Sequence, residues 1–389
     1  TEPQRITNPI FLPVPPLIAW RHQENEFVDF DRDKLIYHML STEGPRASVG
    51  DVNQDGLDDL FVGGAKDTPG QLFVQNGKGQ LTNVDATPLY QDRAAEDTGS
   101  LFFDADQDGD LDLYVCSGGS EFSNISGALV DRLYMNDGKG NFTRSAQLLP
   151  TPALESTSVV KSADFDGDGD WDLFVGIRSQ AFAYGLPMNG YILENNGHGE
   201  FKNVTPQVAP DLQGIGMITD AVWIDIDRDQ DHLKGWWNRL EAADLDRDGD
   251  VDFVLANHGL NSRFKASSDK PISMFVHDFD KNGMVEQIVC TYVGEKSYPF
   301  ALRHDLITQI PSLKKKYLKY ENYADQTIDD IFTNQELEGA LELTANELAT
   351  GVLLNNNDGT FTFKTLPVEA QLSVMYAIYV DDLTRDGIP

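Results

Sequence analysis

Asp104-Ala-Asp-Gln-Asp-Gly-Asp-Leu-Asp112 and Asp164-Phe-Asp-Gly-Asp-Gly-Asp-Trp-Asp172 are two copies of one nine-residue pattern. Acids or amides stand at positions 1, 3 and 5, a glycine at 6 and an acid at 9. In the first copy these are Asp104, Asp106, Asp108, Gly109 and Asp112; in the second, Asp164, Asp166, Asp168, Gly169 and Asp172. Three more copies follow the same rule: Asp51, Asn53, Asp55, Gly56, Asp59; then Asp244, Asp246, Asp248, Gly249, Asp252; then Asp278, Asp280, Asn282, Gly283, Glu286. Two copies are broken. Asp225, Asp227 and Asp229 are followed by Gln230 in place of glycine and by Leu233 in place of the last acid. Asp382, Thr384, Asp386 and Gly387 begin a copy that runs into the end of the chain.

Oxygens at positions 1, 3 and 5 of a tight loop converge on one point, and a glycine at 6 permits the turn. That is the chemistry of Ca²⁺, a hard cation that takes about six to eight oxygens at about 2.3–2.6 Å. Position 7 supplies a backbone carbonyl, from Leu57, Asp110, Asp170, Asp250 or Met284, and the acid at 9 closes the cage. An EF-hand shares the first six positions but needs a Glu at position 12 and flanking helices. Position 12 here is Val62, Val115, Val175 or Leu255, and the flanks, such as Leu113-Tyr-Val-Cys116, read as strands. Each unit is therefore strand, calcium loop, strand, and five to six structural calcium sites are expected.

A second repeat lies between the loops. Gln75-Asn-Gly-Lys-Gly-Gln-Leu81, Asn136-Asp-Gly-Lys-Gly-Asn-Phe142, Asn195-Asn-Gly-His-Gly-Glu-Phe201 and Asn356-Asn-Asp-Gly-Thr-Phe361 read as hairpin turns. Loops begin 53 (51 to 104), 60 (104 to 164) and 61 (164 to 225) residues apart. Four-stranded units at this period are propeller blades. The expected fold is all-β: a propeller of about seven four-stranded blades, one incomplete, carrying calcium loops and a small inserted helical subdomain.

The period then fails twice. Only 19 residues separate 225 from 244, too few for a blade, so a segment of roughly 35–45 residues is expected to be missing between Asp231 and His232. The interval from 278 to 382 is long at 104. Within it Ile307 to Phe332 and Glu336 to Ala349 have helical spacing and good helix formers. The resulting organisation is an N-terminal arm and first strand over 1–46, blades over 47–300, a helical insertion over 301–350 and last strands, cut short, over 351–389. The Pro-rich start (Pro3, Pro9, Pro13, Pro15, Pro16) reads as a linker or entry arm, as if a segment had preceded it.

The loops and the segments Ser48 to Leu60, Gly235-Trp-Trp-Asn238, Ala256-Asn-His-Gly259 and Arg303 to Pro311 resemble FG-GAP/VCBS-repeat β-propellers. That fold is also used by integrin α-subunit heads. Within it the chain is most similar to large VCBS-repeat proteins of Gram-negative surfaces. The resemblance implies a protein partner, in an outer-membrane complex with a TonB-dependent nutrient transporter, and a place outside the cytoplasm.

Composition agrees on what to exclude. With 63 acids against 30 Lys and Arg the net charge is −33, which argues against phosphate backbones and anionic lipid. Hydrophobic residues at 40% suffice for a core. No apolar run nears the roughly 20 residues of a membrane span. Cys116 and Cys290 sit in apolar strand-like runs and read as buried thiols. None of the seven histidines forms a spaced metal motif, and no nucleophile elbow or phosphate-cradling loop occurs. No catalytic residue is expected. His258 reads as a loop-stabilising residue, Trp171 as core, Lys314 to Lys316 as a solvated helix face, and at most one of Trp236 and Trp237 as exposed. The expected function is binding of a protein. Glycan binding by exposed aromatics and a calcium-dependent polysaccharide lyase are the alternatives.

Overall fold

The computed structural model describes residues 15–18, 20–84, 86–149, 154–224 and 233–382. Alternation of side chains organises them into four-stranded antiparallel sheets. Sheet I is β1 (Ala47–Gly50), β2 (Asp59–Val62), β3 (Gln71–Gln75) and β4 (Leu81–Val84). Sheet II is β5 (Glu96–Phe103), β6 (Asp112–Gly118), β7 (Arg132–Met135) and β8 (Thr143–Arg144). Sheet III is β9 (Ser156–Ala163), β10 (Asp172–Ser179), β11 (Gly190–Glu194) and β12 (Lys202–Asn203).

Sheet IV opens with β13 (Arg239–Ala243) and β14 (Asp252–Ala256). The chain then leaves to build a whole further sheet, V: β15 (Ile272–His277), β16 (Glu286–Val293), β17 (Lys296–Pro299) and β18 (Leu341–Ala345), in the order β17-β16-β15-β18. It returns as β19 (Gly351–Asn355) and β20 (Phe361–Thr365), which complete sheet IV beside β14. Five sheets are thus formed among the described residues, against the seven expected. The interrupted loop at Asp225, Asp227 and Asp229 and the junction between Asp231 and His232 lie outside those residues, as do Thr384, Asp386 and Gly387.

β6 is buried along its whole length because both faces pack. Leu113 and Val115 join the sheet I core with Phe61, Leu72 and Phe142. Tyr114 and Cys116 point the other way, into a core with Leu173, Val175, Leu193 and Phe201 of sheet III. First strands lie side by side. Ser48 and Ser100 share a hydroxyl bond of 2.7 Å between β1 and β5, and Thr98 of β5 donates to the Thr157 carbonyl of β9 at 2.7 Å. Ser158 of β9 donates to Ile218, two residues before Asp220, whose carboxylate accepts the Leu240 amide of β13. Both cysteines are buried free thiols, and burial pushes Cys290 up to about 12.

The helical segment differs from expectation. Ile307 to Phe332 is not one helix but a chain of short turns: Arg303–Gln309, Pro311–Lys315, Tyr320–Asn322 and Ile328–Ile331. Pro311 removes an amide donor after the first. Leu306, Ile310, Leu313, Tyr317, Ile331 and Phe332 pack on Ile288 and Cys290 of sheet V. Lys314 and Lys315 are exposed as expected, while Lys316 caps carbonyls of Asp330 and Ile331. Glu336 to Ala349 is not helical either. A helix spans only Asn334–Leu337, Gly339 turns at φ 85°, and β18 pairs with β15. Alternation of Leu341, Leu343 and Ala345 with Glu342 and Thr344 overrides the helix propensity there.

The described part of the N-terminal arm contains one short helix, Asp29–Arg32, and no strand. It crosses every sheet, away from the acidic loop at Glu121, Arg178 and Trp236 but close to it in sheet V, where Gln287 follows Glu286. Trp20 lies edge-on to Phe73, and Asn25 donates to Glu121. Asp33 accepts from Gln287 at 2.6 Å, Tyr37 stacks on Trp236 at 4.7 Å, and Glu43 pairs with the buried Arg178 at 3.1 Å. Burial acts to raise the Glu43 carboxyl, but Arg178 and His38 outweigh it and hold it at about 2. A carboxyl held down in the folded state stabilises above its unfolded value and loses that contribution as pH falls toward 2. Arg178→Met leaves Glu43 half-buried without its cation. It should cost about 3 kcal/mol, checked by urea unfolding at pH 7, and the deficit relative to the parent should shrink as the pH is lowered toward 2.

Candidate metal centres

Five loops of the nine-residue pattern are described, each joining a strand to its antiparallel neighbour in sheets I to V. Their backbone is held by the same bonds each time. The glycine amide at position 6 donates to the first carboxylate: Gly56 to Asp51 at 2.7 Å, Gly109 to Asp104 at 3.1 Å, Gly169 to Asp164 at 3.2 Å, Gly249 to Asp244 at 3.2 Å and Gly283 to Asp278 at 2.9 Å. The position 7 amide donates to the side chain at 5, as from Leu57 to Asp55 and Met284 to Asn282. Position 6 has φ between 84° and 96° throughout. Position 4 is left-handed as well: Gln54, Gln107, Gly167, Arg247 and Lys281 have φ of 59–79°. That second left-handed residue was missed from the sequence, where only Gly167 signals it.

Carboxylates are thereby brought together. One oxygen from each of Asp104, Asp106 and Asp108 lies within 4.8 Å of the others. The same holds for Asp164, Asp166 and Asp172, for Asp244, Asp246 and Asp248, and for Asp278, Asp280 and Glu286. In loop III the trio includes the ninth acid, Asp172, where loops II and IV have the fifth-position Asp108 and Asp248. Asp168 Oδ1 accepts the Asp170 amide at 3.1 Å, the bond that Asp108 and Asp248 also make with Asp110 and Asp250. In loops II and IV the acid outside the trio is the ninth, Asp112 or Asp252.

Asp51, Asp55 and the amide oxygen of Asn53 line the loop of sheet I, linked through the Asp55 amide. Buried carboxylate oxygens of Asp104, Asp106, Asp280 and Glu286 have no hydrogen-bond partner. The position 7 side chains of Asp110, Asp170 and Asp250 each leave one such oxygen too, although only their carbonyls were expected to matter. Hard oxygen acceptors left without donors, at this spacing, fit a divalent cation.

The ninth acid does more than close a cage. One oxygen accepts the position 2 amide: Val52 to Asp59 at 3.1 Å, Ala105 to Asp112 at 2.9 Å, Phe165 to Asp172 at 3.2 Å, Leu245 to Asp252 at 2.8 Å and Phe279 to Glu286 at 2.9 Å. In sheets I to IV the other oxygen accepts the amide ending the third strand, Gln75, Asn136, Asn195 or Asn355, each at 2.8 Å. Adjacent sheets are then clipped at this end. Asn136 donates to the Val52 carbonyl of loop I at 2.8 Å, and Asn195 to the Ala105 carbonyl of loop II at 2.8 Å. In return Gln54 donates to Gly109 and Gln107 to Gly169. Read from sequence as plain turns, the hairpins at Asn136 and Asn195 are braces between sheets.

Trp171 and His258 differ from expectation, and the tryptophan pair at 236 and 237 does not. Trp171, expected in the core, is 46% exposed, because position 8 faces out where loop meets strand. Neither Trp236 nor Trp237 is exposed: Tyr37 covers one face of Trp236, and Trp237 packs edge-on to Phe363. His258 sits edge-on to Trp236 and Phe264 with Nε2 buried and unbonded, so its ring packs rather than bonds.

Residues 51–115 and 117–175 each match the family described as FG-GAP-like repeat. These stretches run from the loop of sheet I into β6, and on through the loop of sheet III into β10. A search among curated proteins found no match. Among solved structures, a lectin of Agrocybe aegerita, described for its specific recognition of non-reducing terminal N-acetylglucosamine, is 14% identical over 78% of this chain and 72% of its own, with a TM-score of 0.31. Nothing about this chain's ligand follows from so distant a likeness.

Two expectations can be measured. Burial, with neighbouring acids, raises Asp112 and Glu286 to about 7 and Asp110 and Asp172 to about 6. Raised carboxyls stabilise the fold only where they keep their protons, so the metal-free protein should lose stability as pH rises from about 4 through 7. Thermal melts in chelator across that range should show the fall, and excess divalent cation should flatten it. Asn195→Ala removes both the Ala105 and Trp171 bonds and should cost about 1–3 kcal/mol in urea unfolding.

Proposed function

We propose that the chain is a calcium-stapled β-propeller domain that works outside the cytoplasm as a binding module with a protein partner. The observation that carries this reading is the repetition of one acid cluster, with buried unsatisfied oxygens, at the same end of successive sheets. Calcium would be held by Asp104, Asp106 and Asp108 and their counterparts in the other loops, with Asp172 beside Asp164, Asp166 and Asp168 in loop III. Once bound, it supplies positive charge that offsets their repulsion. The chain's own residues do the rest: the ninth acid anchors strand ends, and Asn136 and Asn195 pass that order to the next sheet. Extracellular calcium, near millimolar, fills weak sites of this kind, whereas cytosolic levels leave them empty.

Support for a protein partner comes from the helical segment on sheet V. Its inner side chains are buried, yet Leu302, Leu318 and Tyr320 stand 55–72% exposed. A surface or outer-membrane setting beside a nutrient transporter rests on the sequence resemblance. A glycan reading is favoured by a cleft of about 510 Å³ between the arm and sheet V, lined by Phe30, Tyr37, Phe300, Arg263, Asp31 and Asp305. Phe30 is an exposed aromatic beside charged groups, which suits a sugar ring, while Tyr37 is stacked on Trp236 and Phe300 lies under Arg263. A glycan array in calcium buffer, with Arg263→Ala as control, separates the two readings, and a polysaccharide-degradation assay tests the lyase alternative.

Thermal unfolding in excess Ca²⁺ and in EDTA tests the calcium assignment. Each filled site should add roughly 2.7 kcal/mol at a hundredfold excess over its Kd, so several sites together should raise the melting temperature strongly. Equal melting temperatures in the two buffers would remove calcium from the reading.

A further inference from the structure

Glu96 opens β5, opposite Gly118 at the end of β6, and so lies at the far end of sheet II from the acidic loop. Its side chain is 1% exposed, and among the described residues no donor group other than the Glu121 carboxyl is within reach of its carboxylate oxygens. The group that it faces is another acid, Glu121, whose Oε2 is also buried and unbonded. Both Oε2 atoms border the space left by the missing side chain of Gly119. A Cβ built there would lie 2.4 Å from Glu121 Oε2 and 3.1 Å from Glu96 Oε2. Arg132 pairs with Asp97 at 2.6 Å, while Arg32, which donates to the Ser120 carbonyl, is a cation whose charge reaches Glu121. Glu24 and Asp97, which act on Glu96, are negative.

One proton shared between the two acids would satisfy two oxygens and leave the third bare. Buried charges are otherwise paired or bound to metal. We infer that Glu96 and Glu121 hold a hard divalent cation of calcium's class, which fastens the N-terminal arm to sheet II. The arm reaches the pair directly. Asn25 donates to Glu121 Oε1 at 3.1 Å, and Glu24, facing Glu96, holds His22 Nε2 at 2.7 Å. Two carboxylates alone do not fill the shell of such an ion, and carbonyl or water oxygens complete it. This site shares no residue with the repeat loops, so it stands or falls separately from the calcium reading of those loops.

The test is equilibrium dialysis of the full chain against Ca²⁺ with metal analysis, for the parent, Glu96→Gln and Glu121→Gln. Hydrogen exchange of residues 20–33 is followed in the same samples, with and without Ca²⁺. Each variant should carry one calcium fewer than the parent. Calcium should slow exchange of the arm in the parent and not in either variant. Glu121→Gln, at the less buried position, keeps the test sound if Glu96→Gln fails to fold. Unchanged calcium content in Glu121→Gln overturns the inference, and so does arm exchange indifferent to calcium in the parent. A Glu96→Gln protein that is more stable at unchanged metal content overturns it as well, in favour of a shared proton.

Discussion

In sheets I to IV a buried carboxylate at the ninth loop position accepts two amides, one from the start of its loop and one from the end of the third strand. Asp59, Asp112, Asp172 and Asp252 are each no more than 1% exposed. The bonds favour the charged form, while burial and the neighbouring acids oppose it, and the balance leaves Asp112 near 7. The same side chain thus fixes the loop, the register of the third strand and the placement of its Asn or Gln. From there Asn136 and Asn195 reach across to the preceding loop. A cation in one loop would therefore order not one hairpin but a row of them.

The arm ties the sheets by different means. Over residues 20–46 it runs past Phe73, Glu121, Arg178, Trp236 and Gln287, which belong to or flank all five sheets. Its bonds join residues far apart in sequence, and none repeats. The loops are a periodic device and the arm a single strap, so loss of the arm removes contacts to every sheet at once. Sheet V, nested between β14 and β19, carries its own loop and its own helical cover. Leu302, Leu318 and Tyr320 stand exposed on that cover.

The five intact loops were legible because each is local: nine consecutive residues whose side chains return to one point. Their strand flanks were legible from the failure of the EF-hand pattern at Val62, Val115, Val175 and Leu255. Spacing did not reveal which acids of a loop lie nearest one another: Asp104, Asp106 and Asp108 in loop II, but Asp164, Asp166 and Asp172 in loop III. The same local reading failed for Glu336 to Ala349, where good helix formers become β18 because β15 offers an unpaired edge. It failed for Trp171 too, since burial at position 8 depends on what packs over it, not on the residue's own apolarity.

By itself, then, the sequence determined the all-β class, the loop positions, the pool of acids from which each cluster is drawn and the hairpins between them, since all of these depend on neighbours within about ten residues. Tertiary structure alone decided the number of sheets formed among the described residues and the insertion of sheet V into sheet IV. It also decided the crossing of the arm, the bracing role of Asn136 and Asn195, and the meeting of Glu96 with Glu121. These are contacts across 20 to more than 200 residues, chosen by which buried polar groups and apolar faces find partners in three dimensions. No local pattern records that choice.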